Sequence, residues 1–344
     1  MTVIGTKASA QIKGSEPPPQ TRNPDIDVLK GVAILMVVFG HVLRGLHEKG
    51  IGSEPLFAAL DPRLYTVHVQ LLFLLSGVLS YGSLVRKGPA FFAKSRFSAV
   101  LLPLVLWTYL FMGIKVLAGP FQNQIADLSD FFILPFPGHL HLWFLWALFL
   151  IQLCAAAIWG LSQSSSPNMR QGILMFAFVL SLAALFADIG NTGTYWIGSA
   201  RNNLPFFLLG LVLAATSAIR VPRIKMAWLA VIVFFTIFAC VPILRSILGK
   251  PMVSLLLCLS AIWAGRRLVL WEKVVPVFVT MGQGTMAIYL LHVIFSAAVR
   301  ELLIVAGIEL TLLHILAGTA AGIVLPLGVA AVLPPRANRA LMIA

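Results

Sequence analysis

The sequence predicts an all-α, polytopic integral membrane bundle of about ten transmembrane helices, with both termini in the cytoplasm. Of the 344 residues, 59% are hydrophobic and only 11% are charged, whereas a soluble domain usually carries about 25% charged residues. The hydrophobic residues form runs of about 20, which is the length a helix needs to cross a bilayer. Lys and Arg cluster between alternate runs, as expected for cytoplasmic loops. These observations exclude an ordinary soluble enzyme.

Ten apolar runs have the length of a transmembrane helix. We assign them as helices because only helices and closed barrels satisfy their own backbone hydrogen-bonding groups in lipid. In chain order they lie near residues 26-46, 64-84, 97-118, 140-161, 171-190, 203-219, 227-246, 251-271, 275-298 and 311-333. They form one membrane domain over residues 25-335. Residues 1-24 have no apolar core and are expected to be a disordered cytoplasmic tail. Residues 336-344 are expected to be a short cytoplasmic C-terminal tail.

The distribution of basic residues gives the orientation. Of the 25 Lys and Arg, 17 fall on the side of the membrane that holds the N-terminus and 8 on the other side. Short cytoplasmic loops carry the excess of such residues, so both termini are predicted to be cytoplasmic. The excess of Lys and Arg in cytoplasmic loops also explains the net charge of +13. No nucleic-acid partner is therefore expected.

The first span carries two ionisable residues in lipid, which makes them candidates for function. Lys30 and His41 are eleven residues apart, so on a helix they share one stripe and lie about 16 Å apart. Lys30 is expected near the cytoplasmic face and His41 in the outer half. In the alternative interpretation, Lys30 extends its amine to the interface and pairs with Asp27, while His41 is a hydrogen-bonded packing residue.

Further histidines fall in the outer half of other spans. His68 begins the second span, His139 and His141 begin the fourth, and His292 lies in the ninth. Clustered imidazoles suit either proton transfer or a metal site. A metal is not expected, since no helix carries an HxxxH or HExxH pair and His139 and His141 cannot face one ion from a regular helix.

The second cytoplasmic loop is basic. Its residues Arg86, Lys94 and Arg96 belong to a segment with no acidic residue. These positive charges either only orient the chain in the membrane or also bind a phosphate-bearing donor. The second alternative is open because Arg and Lys clusters bind phosphate.

The first span carries the motif Asp27-x-Leu29-Lys30-Gly31, with a histidine following the basic residue after ten intervening positions. This motif resembles the opening helix of the membrane acyltransferase-3 family and is closest to the fucose 4-O-acetylase-like branch. The other matching segments follow in the family's order between residues 22 and 300. They are His68 leading to Phe73-x-x-Ser76-Gly77, Lys94-Ser95-Arg96 leading to Leu102-Pro103, Leu142-Trp143-Phe144-Leu145, Leu204 to Gly210, and Ile288-Tyr289-Leu290-Leu291-His292. Gln70 stands where family members often have proline.

The resemblance implies transfer of an acyl group, usually acetyl from acetyl-CoA, from the cytoplasm to a hydroxyl of an envelope or secreted glycan in the bacterial inner membrane. The CoA phosphates would contact Arg86, Lys94 and Arg96, with Lys30 at the mouth. His41 would act as general base. Oxyanion donors would come from the second and ninth helices: Ser76, His68, His292 or Tyr289. The acceptor would be a glycan or a lipid-linked saccharide, and polysaccharide-synthesis proteins are candidate partners.

Several residues of the outer half are candidates for binding this acceptor. Trp143 could stack on a sugar ring, although such aromatic residues are more often interfacial anchors. His141 and Tyr289 are further candidates. Arg201 and Asn203 could hydrogen-bond a glycan or, equally, cap the sixth helix.

The residues leave three alternatives open. His41 could instead be a nucleophile that forms an acyl-imidazole. The protein could be a transporter or flippase of a lipid-linked sugar that uses its intramembrane histidines as a proton relay, although no inverted repeat is visible. It could also be a non-catalytic scaffold of a polysaccharide-synthesis complex.

Overall fold

The computed structural model describes residues 24–118, 140–191, 193–216, 224–268 and 273–343. Every regular element in these ranges is helical, which confirms the all-α prediction. The predicted tail up to residue 23 and His139 lie outside the described residues. The helices are α1 (Pro24–Glu48), α2 (Glu54–Leu64), α3 (His68–Arg96), α4 (Leu102–Ala118), α5 (Trp143–Leu161), α6 (Pro167–Phe186), α7 (Tyr195–Ala215), α8 (Ile224–Ala239), α9 (Val241–Leu268), α10 (Val275–Gln283), α11 (Thr285–Val305), α12 (Thr311–Val332) and α13 (Pro335–Leu341).

Within the described ranges, eight helical stretches are long and apolar enough to cross a membrane. The sequence predicts ten spans, and the two numbers differ for two reasons. The stretch Glu54–Leu117 contains the second and nearly all of the third predicted span, because its helices are separated by no more than a short turn. The seventh predicted span corresponds to the apolar helix Trp228–Ala239, which is shorter than a full crossing. The chain is therefore a polytopic helical membrane bundle.

Helix α1 lies at the centre of the bundle, packed against α3, α10, α11 and α12. Its first turns approach α10 at backbone contact: a Cβ on Gly31 would overlap the carbonyl of Phe278, and one on Gly282 would overlap that of Asp27. The predicted ninth span breaks at Gly284 into α10 and α11, and α11 continues to Val305. The helix that carries Lys30 and His41 is thus held on several sides.

Helix α3 packs closely against α7 through a second pair of glycines. A Cβ on Gly77 would overlap the carbonyl of Phe207, and one on Gly210 would overlap that of Leu74. Small residues allow such close approach between helices in membranes. This contact fixes the position of α3 along the bundle axis, and therefore the position of His68, its first residue.

Two local irregularities shape the far end of α3. Gly88 has φ 76° and ψ 164°, which interrupts the helical path directly before Pro89. A π-helical turn, Phe97–Leu101, then leads into α4. Pro103 cannot donate to the carbonyl of the preceding turn, and a wider turn accommodates that missing bond.

Helix α13 packs back onto the bundle. The indole nitrogen of Trp107 on α4 donates to the Leu341 carbonyl at 2.8 Å, and Asn338 donates to the Ala330 carbonyl at 2.7 Å. Most of the C-terminal segment predicted as a tail is therefore an ordered helix.

Candidate active site

A cavity of about 200 Å³ lies between α1, α3, α5 and α11, and we call it the histidine cavity. Its α1 residues are spaced by four and three positions, so they share one helical face. The cavity is lined by Val37, His41, Arg44, Tyr65, His68, Val69, Leu72, His141, Trp143, Phe144 and Tyr289. Five of these residues were singled out from the sequence: His41, His68, His141, Trp143 and Tyr289.

Three imidazoles meet at one end of this cavity. The ring centroid of His41 is 6.0 Å from that of His141 and 5.1 Å from that of His292. The His141 and His292 rings are 5.2 Å apart. His292 is fully buried behind the lining, so it reaches the cavity only through the other two rings. The predicted clustering of outer histidines is therefore observed for these residues.

The tautomer of His292 follows from its hydrogen bonds. Its Nδ1 lies 2.9 Å from the carbonyl oxygens of both Ile288 and Tyr289. A carbonyl can only accept, so Nδ1 carries the proton and Nε2 of the neutral ring is an acceptor. This Nε2 is buried and has no hydrogen-bond partner among the described residues. It is therefore an available acceptor for a neighbouring imidazole.

His68 has the same tautomer. Its Nδ1 is in hydrogen-bond contact with the Leu64 carbonyl in the preceding turn, so Nε2 of the neutral ring is again an acceptor. Neutral His68 and neutral His292 consequently offer no N–H to an oxyanion from Nε2. Of the four predicted oxyanion donors, Ser76 and Tyr289 remain.

Tyr289 fixes the segment that leads into α5. Its hydroxyl donates to the His141 carbonyl at 2.6 Å, and its ring is 5.6 Å from that of Phe144. His141 also lies edge-on to Phe111, with ring centroids 4.9 Å apart. Neither ring nitrogen of His141 has a hydrogen-bond partner among the described residues. Aromatic packing and a backbone bond, rather than bonds to its own ring, therefore hold His141 against the cavity.

Arg44, Asp61 and Tyr65 belong to this site and were not predicted from the sequence. Arg44 and Tyr65 line the cavity, and the Arg44 guanidinium binds the Asp61 carboxylate. One signal for Arg44 was present, since it lies three residues after His41 and thus on the same helical face. No pattern in the sequence indicates that Asp61, from the short helix α2, returns to α1.

Besides His292 and the predicted donor-binding residues, three predicted site residues do not line the histidine cavity: Ser76, Arg201 and Asn203. Ser76 is eight residues after His68 on α3, about 12 Å along the helix axis. The Asn203 amide donates to the Ser199 carbonyl one turn earlier, at 2.8 Å. These positions give none of the three a direct contact with the cavity.

Arg201 closes the loop between α6 and α7. It donates to the carbonyls of Ile189, at 2.8 Å, and Ala184, at 3.2 Å, and pairs with Asp188 at 2.9 Å. The Asn191 amide and the Arg201 guanidinium hold the pKa of Asp188 below its ordinary value. Arg201 therefore binds carbonyls at the C-terminal end of α6, and neither Arg201 nor Asn203 caps the sixth predicted span, because α7 already begins at Tyr195.

The predicted donor-binding residues lie at the end of the bundle where α1 begins, which we call the N-terminal side. Lys30 pairs with Asp27 at 3.5 Å and lies about 16 Å from His41 along α1. It does not line the histidine cavity. Arg86 follows His68 by eighteen residues on α3, about 27 Å along the helix. Since α3 starts beside the second half of α1, this length brings Arg86 back to the N-terminal side.

Arg86 and Lys94 are exposed, whereas Arg96 is partly buried. The Arg96 guanidinium lies 4.7 Å from the centre of the Phe92 ring and also bonds the Ser95 hydroxyl at 2.9 Å. The segment from Arg86 to Arg96 thus has two exposed cations, and one guanidinium that is held by contacts within the segment.

Within the described ranges, no group of three or more His, Cys, Asp or Glu residues has a geometry that could hold a metal ion.

Comparison with known proteins gives a family and two relatives. The acyltransferase-3 family, described as an acyltransferase domain, matches residues 23–331. The nodulation protein NolL of Mesorhizobium japonicum is 27% identical over 217 residues, covering 60% of this chain and 52% of the relative. NolL of Sinorhizobium fredii is 28% identical over 202 residues, covering 57% and 50%.

This chain thus spans about half the length of the curated relatives that it matches. No solved structure matches it significantly. The narrower resemblance to the fucose 4-O-acetylase-like branch stays a prediction. The family match extends from the residue before α1 almost to the end of α12, and so includes every helix that contributes to the histidine cavity. The chain belongs to the membrane acyltransferase-3 family.

Proposed function

We propose that the protein transfers an acetyl group from cytoplasmic acetyl-CoA to a hydroxyl of an envelope or secreted glycan, or of its lipid-linked precursor. The observation that carries this proposal is the position of His41: it lines a cavity rich in imidazole and aromatic rings, on the helix whose other end carries Lys30. The family match supports acyl transfer in general. Acetyl-CoA, the glycan and the bacterial inner membrane are the specific parts of the proposal.

The donor enters from the N-terminal side, which the excess of Lys and Arg assigns to the cytoplasm. Arg86, Lys94 and Arg96 bind its phosphates, since these cations are gathered on one segment that has no acidic residue. Lys30, beside Asp27, guides the pantetheine arm toward His41. An extended arm can cover the separation of about 16 Å along α1.

His41 is the general base. Its imidazole takes the proton of the acceptor hydroxyl while that oxygen attacks the thioester carbonyl carbon. When the tetrahedral intermediate collapses, the carbon–sulfur bond breaks and the imidazolium returns its proton to the leaving thiolate. The products are an O-acetyl ester and free CoA, and the histidine ends in its starting state.

His292 is a positioning residue for His41. Its proton is fixed on Nδ1, so the free Nε2 can accept an N–H from the His41 ring 5.1 Å away, measured between centroids. A His41 ring that donates to His292 exposes its other nitrogen, with its lone pair, to the cavity. This is the arrangement that a general base requires.

Tyr289 is the best placed of the predicted oxyanion donors. Of the four candidates only His68 and Tyr289 line the cavity, and neutral His68 presents an acceptor there. The Tyr289 hydroxyl would have to exchange the His141 carbonyl for the oxyanion. An oxyanion donor of this kind typically contributes about 10²- to 10³-fold in rate.

A reconstitution experiment tests the function. The purified protein in liposomes is given acetyl-CoA labelled in the acetyl group, and release of the CoA thiol is followed together with transfer of label to an extract of cell-envelope glycans. We expect both with the wild type and neither with His41→Gln. A transporter that moves a lipid-linked sugar would leave the thioester intact in both proteins, and that result would refute the proposal.

A further inference from the structure

Three residues form a polar platform at the end of the histidine cavity away from Lys30: Arg44, Asp61 and Tyr65. Arg44 lies one helical turn beyond His41, and both Arg44 and Tyr65 line the cavity. We call this group the outer platform. The proposed proton transfer at His41 does not use it.

The outer platform is held rigidly. The Nε and Nη2 atoms of Arg44 donate to the two carboxylate oxygens of Asp61 at 2.6 and 3.0 Å. The guanidinium also stacks 3.3 Å from the centre of the Tyr65 ring. Such bidentate and stacked geometry is specific to arginine, because lysine provides only a point charge.

Tyr65 ties the outer platform to the residues of the proposed chemistry. Its ring is 4.6 Å from that of His68, edge to face. A Cβ added to Gly40 would lie 3.4 Å from this ring, so the glycine before His41 lets Tyr65 lie close against α1. A group bound on the platform would therefore be adjacent to His41 and His68.

The charge of the outer platform indicates what it can bind. Asp61 binds two nitrogens of the Arg44 guanidinium and compensates its charge, and Lys250, which interacts electrostatically with both residues, does not line the cavity. The Arg44 Nη1, which Asp61 does not use, can donate to one hydroxyl. The partly exposed Asp61 carboxylate behind the cavity lining can accept from the neighbouring hydroxyl. The nearby aromatic rings of Trp143, Phe144 and Tyr289 supply apolar surface of the kind that packs on a sugar face.

We propose that the outer platform binds the acceptor as a neutral sugar ring with two adjacent hydroxyls and directs one of them toward His41. This inference rests on the proposed acetyl transfer and specifies its acceptor. The cavity volume of about 200 Å³ is below the roughly 300–1,000 Å³ of sites for drug-sized ligands. It therefore suits one terminal ring and not an internal stretch of a longer glycan.

The test uses the full chain in lipid nanodiscs, with acetyl-CoA as donor and three probe acceptors: methyl β-D-glucoside, methyl α-L-fucoside and the anionic methyl β-D-glucuronide. The variants are Arg44→Lys, which keeps the charge but loses the fork, and Asp61→Asn. The control is Arg63→Gln, which removes a partly exposed cation that donates to the carbonyls of Ala59 and Ala239 and does not line the cavity. Two independent variants keep the test decisive if one of them does not fold.

We expect acetylation of at least one neutral glycoside, and a KM for that glycoside that rises roughly ten- to a hundredfold in Arg44→Lys and Asp61→Asn, the equivalent of one lost charged hydrogen bond. The KM for acetyl-CoA should stay within about twofold, since the donor enters from the other side. Arg63→Gln should match the wild type.

Other outcomes overturn the inference. A preference for the glucuronide would show that the platform binds anions. A fall in kcat with an unchanged acceptor KM would assign Arg44 to the transition state instead. If the wild type releases CoA but acetylates no neutral probe, the acceptor assignment is wrong while acyl transfer stands. If the thioester stays intact, the proposed function itself fails.

Discussion

Replacement of His292 tests whether a fully buried side chain controls the reaction through His41. The informative variants are His292→Phe, which keeps the ring volume but removes the acceptor, and His292→Gln, whose amide can reach the Nε2 position. His314→Phe is a matched control. His314 is also buried, its Nε2 contacts the Ile308 carbonyl at 2.7 Å, and it does not line the cavity.

The magnitude follows from the hydrogen bond that the proposed mechanism requires. The His292 Nε2 has no partner among the described residues, and when His41 becomes an imidazolium in the transition state, its N–H donation to this Nε2 is charge-assisted and worth about 1.5–3 kcal/mol. His292→Phe should therefore lower kcat roughly ten- to a hundredfold. His292→Gln should recover much of that loss, and His314→Phe should leave kcat within about twofold. All four proteins are compared at equal membrane abundance and by thermal unfolding in detergent.

Two results would refute this reasoning. Equal losses in His292→Phe and His314→Phe, in step with their melting temperatures, would mean that removing any buried imidazole simply loosens the bundle. Full activity in His292→Phe would mean that His41 needs no acceptor behind it.

Three other predictions concern the scaffold, the donor and the α6–α7 loop. Gly210→Ala should destabilise the bundle by about 1–3 kcal/mol, because the added methyl meets the backbone of α3, whereas Gly113→Ala, with open space around it, should not; equal melting temperatures would contradict this. Lys94→Gln should raise the KM for acetyl-CoA at low salt and little at high salt, and a salt-independent effect would argue against phosphate binding. Arg201→Gln should increase proteolysis of the loop that it closes and leave the acceptor KM unchanged; an increased KM would restore Arg201 as a glycan-binding residue.

Hydrophobic runs and charge were sufficient to predict the helical membrane bundle. Most described residues of each predicted span are helical, because burial in lipid leaves few alternatives to a helix, although residues 65–67 and 187–190 form turns. The local breaks were not predicted. The turn at Gly88 and the division of the ninth span at Gly284 depend on which neighbour packs against each glycine, and hydropathy carries no such information.

Spacing along one helix was enough to predict part of the geometry of the site. The eleven-residue interval places Lys30 and His41 on one stripe of α1. Of the histidines assigned to the outer half, His41, His141 and His292 meet, His68 lines the same cavity, and His139 lies outside the described residues. Prediction failed where contacts join distant helices. The pairing of Asp61 with Arg44 depends on how α2 folds back against α1. The tautomer of His292 depends on where two backbone carbonyls lie. Ser76 matched a motif but lies about one helical turn beyond Leu72, the last α3 residue that lines the cavity.

The most direct test of acetyl transfer through His41 is mass spectrometry of the envelope and secreted glycans of cells that lack the protein. These cells are complemented with the wild type or with His41→Ala, at equal membrane abundance. We expect an acetyl mass increment on one glycan to be lost in the deletion strain, restored by the wild type and not restored by His41→Ala. Restoration by His41→Ala, or accumulation of a lipid-linked sugar with glycan acetylation unchanged, would contradict the account.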